Sequence, residues 1–151
     1  MPNKVDHVAR DLTQTIDGAL PKLRAISDAA ATEPRAPGKW SRKQIIGHLI
    51  DSASNNHQRF IRAQETARLV FPGYEQDHWS RSQRCNERRW SDLVDLWYAY
   101  NAHLAHVMTH IPDAALPVPC VIESPEPVTL EYLVTDYVRH LRHHLAQVGV
   151  V

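Results

Sequence analysis

Apolar residues recur at steps of three and four along four stretches of this 151-residue chain, the period of a helix with one buried face. The first stretch opens at Val5 and carries Val8, Leu12, Ile16, Ala19, Leu23, Ile26 and Ala30. Gly18 and Pro21 interrupt its polar side. A proline removes one amide donor and crowds the preceding turn, so a kink or break is expected near Leu20. Residues 32–39, with two prolines and a glycine, read as a loop. The second helix is announced by Trp40-Ser41-Arg42-Lys43-Gln44-Ile45. Ser41 caps the free amide of Gln44, Gln44 reaches back, and Trp40 is expected to staple onto Ile45.

Ile45, Leu49, Ala53, Phe60 and Ala63 continue its apolar face. Beside them, at i, i+4, i+7 and i+11, runs a polar stripe of His48, Ser52, Asn55 and Arg59, on the border of the expected core. Buried polar groups without partners cost about 1 to 3 kcal/mol each, so this seam implies a lined cavity. Phe71-Pro72-Gly73-Tyr74 ends the periodicity, and the polar run to Arg89 reads as a long connection with one short helix. Ser91 is expected to cap a third helix burying Leu93, Trp97, Tyr100, Leu104, Val107 and Ile111. Five prolines between residues 112 and 127 then exclude helix, leaving a short extended piece at Cys120-Val121-Ile122. Thr129 caps a fourth helix that buries Leu130, Leu133, Tyr137, Leu141, His144 and Val148. Four amphipathic helices with long connections predict an all-α four-helix bundle. One domain spanning residues 1–151 is expected, since a chain of this length buries roughly 70% of its unfolded surface unaided.

Composition narrows the choice of partner. Seventeen basic residues balance seventeen acidic ones, which gives no ground for a nucleic-acid or anionic-membrane partner. Cys85 and Cys120 form neither a C-x-x-C pair nor a secreted framework, and both are expected to be structural. The first residues lack the apolar core of a signal peptide and no run is long enough to span a bilayer, so a soluble cytoplasmic protein is expected. Ten histidines turn attention to metal chemistry.

His140 and His144 lie one helical turn apart on the closing helix, so their imidazoles point the same way. A metal with catalytic potential commonly takes three protein ligands, and His48, on a different helix, is the candidate third. The competing account of each histidine is a satisfied core or boundary residue. His143 points away from the seam. His103, His106 and His110 on the third helix form a rival set, with His106 turned toward solvent. Three neutral imidazoles leave a divalent charge uncompensated, which lowers the pKa of a coordinated water, suiting hydrolysis, or of a thiol, suiting thiol transfer. Asn55 and Arg59 are placed to orient an anionic or carbonyl group, although a salt bridge would equally explain Arg59. Asp51, three residues after His48, is a candidate to orient a ligand histidine. Helix capping or a surface ion pair is its plainer role. Two other functions fit the same residues: a bundle whose metal is structural, and a metal-free dimeric scaffold.

Trp40-Ser41, Ile46-Gly47-His48-Leu49-Ile50-Asp51 and the terminal His140-x-x-x-His144-x-x-Gln147 together resemble the DinB superfamily over essentially the whole chain. The resemblance implies a four-helix bundle in which His48, His140 and His144 hold a divalent metal, often nickel or zinc, with open positions. Gln147 matches the glutamine that often follows the last ligand. Homodimers are implied too, as is a small-molecule substrate, either hydrolysed or joined to a low-molecular-weight thiol.

Overall fold

The computed structural model describes residues 1–151. Six α-helices run in chain order as α1 (Asp6–Arg24), α2 (Asp28–Thr32), α3 (Arg42–Arg62), α4 (Gln76–Gln83), α5 (Trp90–Thr109) and α6 (Leu130–Val148). The four long ones form the expected bundle. Helix α1 packs against α5 and α6, and α3 packs against the same two. Successive long helices α1 and α3 therefore stand on one diagonal, and α5 and α6 on the other. A chain that crosses a diagonal cannot do so in a tight turn, which explains why residues 25–41 and 110–129 are long. No helix is long and apolar enough to cross a membrane.

Local signals hold at most helix boundaries. Ser41 Oγ accepts from the Gln44 amide while Gln44 Oε1 accepts from the Ser41 amide, so the capping box of α3 is complete. Thr129 Oγ1 accepts from the Tyr132 amide and starts α6. Helix α1, by contrast, runs through Pro21 without a break. Pro21 and Asp17 are both solvent-exposed, so water can serve the carbonyl that the proline leaves without a donor. The interruption comes at residues 25–27 instead, and Ser27 restarts the chain as α2 by accepting from the Ala30 amide. That restart resets the helical phase. Ala31 is fully buried, and Ala30, assigned to the stripe by period, faces solvent.

Two further expectations fail for tertiary reasons. Ser91 does not cap α5; the helix begins at Trp90, whose amide donates to Asp28 Oδ1 from α2 at 2.8 Å. The same carboxylate holds the buried Lys43 ammonium at 3.1 Å, so Asp28 joins α2, α3 and α5 through two contacts. On α6 the core position is Leu145, fully buried, and His144 sits half-buried beside it. Tyr100 is likewise half-buried, with Asn101 taking the inner place and accepting from the Tyr137 hydroxyl at 2.6 Å.

Most of a three-stranded sheet escaped the periodicity; only the extended piece at Cys120-Val121-Ile122 was expected, and the strand there runs Pro119–Val121. Strand β1 (Leu69–Val70) pairs in parallel with β2 (Pro119–Val121), which pairs antiparallel with β3 (Val128–Thr129). Strands of two or three residues carry no detectable alternation. The sheet clamps the α3–α4 connection to the α5–α6 connection, and the Phe71 amide extends the clamp by donating to the Val121 carbonyl at 3.0 Å.

Candidate metal centre

His48 enters the site from the second turn of α3, which the capping box and Gly47 hold in register. A β-carbon at Gly47 would lie 2.5 Å from Cys85 Sγ, so only glycine lets the 3-10 turn Cys85–Glu87 pack against α3 at this level. Trp40 packs on the imidazole of His48, with ring centroids 5.2 Å apart. From the facing helix α6, His140 and His144 present their rings one turn apart.

The three rings meet at their Nε2 atoms. His140 Nε2 lies 3.3 Å from His48 Nε2 and 3.1 Å from His144 Nε2. One ligand-capable nitrogen from each ring falls within 4.8 Å of the others, and no other cluster of histidine, cysteine or carboxylate groups in the chain meets that condition. Gln147 Oε1 accepts from His144 Nδ1 at 2.9 Å, which places the proton on Nδ1 and leaves the Nε2 lone pair bare. A single proton on His140 Nε2 cannot then satisfy both neighbours. His48 Nδ1 is buried without any partner. As a set of hydrogen bonds the cluster is incomplete.

As a set of ligands it is coherent. Nitrogens about 2.1 Å from one ion stand about 3.0 to 3.4 Å apart between octahedral and tetrahedral angles, and the two close contacts fall in that range. Burial makes the rings ready. It pushes His48 down to about 3, helped by the nearby His144 and His140, and His140 down to about 4 by burial first and His144 second. Burial also lowers His144, opposed by its bond to Gln147. All three are neutral at pH 7, with lone pairs to donate.

A cavity of about 140 Å³ adjoins the cluster, with His140 in its wall. Ser52, Asn56 and Arg59 from α3, Tyr74 from the α3–α4 connection and Asp136 from α6 supply its polar lining; Leu133 and Tyr137 close the apolar side. The structure thus brings together His48, His140 and His144 with Ser52 and Arg59 of the polar stripe, all of which the sequence marked. Asn55 does not join them. Its amide turns back to the Asp51 carbonyl at 2.9 Å, and Asn56 faces the cavity in its place. Asp51 accepts from Gln83 Nε2 at 2.8 Å and hydrogen-bonds none of the three imidazoles; burial raises its pKa. The packing of α4 explains this, because it draws one flank of α3 toward Gln83 and leaves the other flank to the cavity. Tyr74 was legible only as part of a helix-ending Phe-Pro-Gly-Tyr run. No sequence period could bring it back over Arg59.

The rival histidines of α5 and its C-cap form no second three-ligand cluster, although the His106 and His110 rings lie 4.4 Å apart and the His103 ring 6.3 Å from that of His106. His103, His106 and His110 are exposed, and the His110 ring is spent on the His106 carbonyl at 2.8 Å. His143 faces solvent as expected. Cys85 and Cys120 are buried free thiols.

No curated protein matches the sequence. Among solved structures the fold matches YfiT from Bacillus subtilis, with a TM-score of 0.82 and 22% identity over 93% of this chain and 81% of that one. YfiT is described as a probable metal-dependent hydrolase with an unusual four-helix bundle topology. Residues 11–148 fit the sequence pattern of the DinB superfamily, a match that takes in α3, α6 and all three converging histidines, and the chain belongs to that superfamily.

Proposed function

We propose that this protein is a divalent-metal-dependent hydrolase of small molecules, with His48, His140 and His144 as the ligands. The convergence of three Nε2 atoms that cannot satisfy one another carries the proposal. The description of YfiT supports it. Imidazole donors suit zinc or nickel, and an ion held by three of them has positions left for a nucleophile and a substrate. The ion supplies Lewis acidity, polarising a carbonyl and activating a nucleophile near neutral pH.

The protein's own groups prepare that chemistry. Burial keeps His48 and His140 unprotonated, so protons compete weakly for their lone pairs. Gln147 fixes the tautomer and ring angle of His144. Tyr74, pushed up to about 12 by burial, keeps its hydroxyl proton and can donate into the cavity. A cavity of about 140 Å³ suits a small substrate group beside the cluster.

Elemental analysis of the purified full chain tests the ligands. About one zinc or nickel per chain is expected, with most of it lost in His144→Ala. Undiminished metal in that variant refutes the ligand set. Stoichiometric metal without turnover of any ester or amide in a broad panel would point instead to a structural ion.

A further inference from the structure

Arg59 is nine-tenths buried, yet its guanidinium makes no hydrogen bond and no ion pair with any group of the protein. Its relative exposure is 9%, and its Nε is sealed from solvent without a partner. The guanidinium lies over the Phe71 ring, 5.5 Å from the centroid, and borders the same cavity as His140. Isolated buried cations are expensive, and proteins retain them where a counter-ion arrives from outside. The neighbouring carboxylates do not serve. Asp136, in the cavity wall, is bound to Arg139, and Glu123, which acts on Arg59 through space, forms no ion pair with it.

We propose that the cavity is a carboxylate subsite, in which Arg59 binds the free carboxylate of a short-chain substrate whose opposite end carries the bond to be hydrolysed at the histidine cluster. The guanidinium fork matches a carboxylate with two parallel N–H donors, a geometry that lysine cannot offer. The Phe71 ring lies under the guanidinium, and Tyr74 and Ser52 line the same cavity. Arg59 follows His48 by eleven residues, about 16 Å along the helix axis, a gap that the long arginine side chain shortens. Arg59 and His140 nevertheless line the same small cavity, so a short carbon chain joins the anionic end of the substrate to the end that meets the histidines. At about 30 Å³ per water-sized group, the cavity holds roughly four or five such groups, the size of butyrate.

The direction of the substrate rests on the histidines being the reactive end; the carboxylate contact does not. The full chain, supplied with zinc, is titrated with butyrate and with uncharged butyramide, and amide NMR shifts and zinc content are followed together. Butyrate should bind at least about tenfold more tightly than butyramide. Arg59→Gln should abolish that preference while zinc content stays at the wild-type level, and Arg59→Lys, which keeps the charge but loses the fork, should fall between. Equal binding of the two probes overturns the subsite, as does unchanged butyrate affinity in Arg59→Gln. If the glutamine variant does not fold, wild-type affinity for butyrate in Arg59→Lys overturns it. Loss of butyrate binding in His144→Ala but not in Arg59→Gln would place the anion on the metal and also overturn it. A chain that takes up no zinc but still prefers butyrate through Arg59 would refute the metal assignment and leave the subsite standing.

Discussion

Gly47 precedes His48 in the second turn of the best-marked helix of the chain, and the structure specifies what replacing it would do. A β-carbon built there comes 2.5 Å from Cys85 Sγ and 3.3 Å from Cys85 Cβ, whereas ordinary contact begins at 3.4 Å. The sulfur is thus overlapped by nearly 1 Å, and it belongs to a buried residue of a 3-10 turn that has little room to retreat. Alanine is favoured over glycine inside a helix by about 1 kcal/mol. Overpacking of a tight interior costs about 1 to 3 kcal/mol. Gly47→Ala should therefore lose up to about 2 kcal/mol net, read from urea unfolding midpoints at constant slope. The partner of the clash can be removed. In a Cys85→Ala background the sulfur is gone, the remaining 3.3 Å contact needs only a small adjustment, and Gly47→Ala should become neutral or stabilising. The coupling between the two positions should be about 1 kcal/mol or more. Because His48 is the next residue, a displaced α3 should also weaken metal uptake by Gly47→Ala and not by the double variant. A Gly47→Ala protein about 1 kcal/mol more stable than wild type, realising the full helical gain, would refute the account.

Acid should destabilise the metal-free protein through the same histidines that prepare the site. His48 and His140 fall from an ordinary 6.5 to about 3 and about 4 on folding, so below pH 6.5 the unfolded chain takes up protons that the folded one refuses. Stability is complete above that pH and falls as pH drops from 6.5 toward 4, each histidine contributing a slope that approaches about 1.4 kcal/mol per pH unit. Urea midpoints of chelated protein should show this, and a His48→Ala/His140→Ala variant with an equally steep slope down to about pH 5 would count against it. Gln147→Leu removes the acceptor for His144 Nδ1 and should weaken metal affinity by about 10- to 100-fold in competition with a chromophoric chelator; unchanged affinity would deny Gln147 its positioning role. Tyr137→Phe strands the buried Asn101 Oδ1, so it should lower stability by about 1 to 3 kcal/mol, and a variant as stable as wild type would show that the bond contributes nothing.

The sequence by itself determined the elements whose causes are local. Ser41 and Gln44 sit three residues apart and close a capping box whatever lies around them, Thr129 starts α6 by the same short-range bond, and the period of three and four sets which face of each long helix is apolar. The histidine pair on α6 was legible for the same reason, since one turn of helix fixes the direction of both rings. His48 stood out because a polar stripe beside an apolar face requires something to line.

What only the tertiary structure decided involves groups brought together from distant parts of the chain. Asp28 replaces Ser91 as the partner of the first amide of α5, across 62 residues. Gln83 claims Asp51 from across 32 residues, and the sheet built from strands of two and three residues sets the connection that brings Phe71 against Arg59 and Tyr74 into the same cavity. Asn55 lies at one edge of the polar stripe on a helical wheel and Asn56 just beyond the other, and the packing of α4 and α6 leaves the Asn56 flank of α3 open to the cavity. A helical period fixes angles around one axis and carries no information about which neighbour occupies each angle. That information resides in the packing of the bundle, which gathers three separate histidines into one cluster and sets a stranded arginine on the cavity beside it.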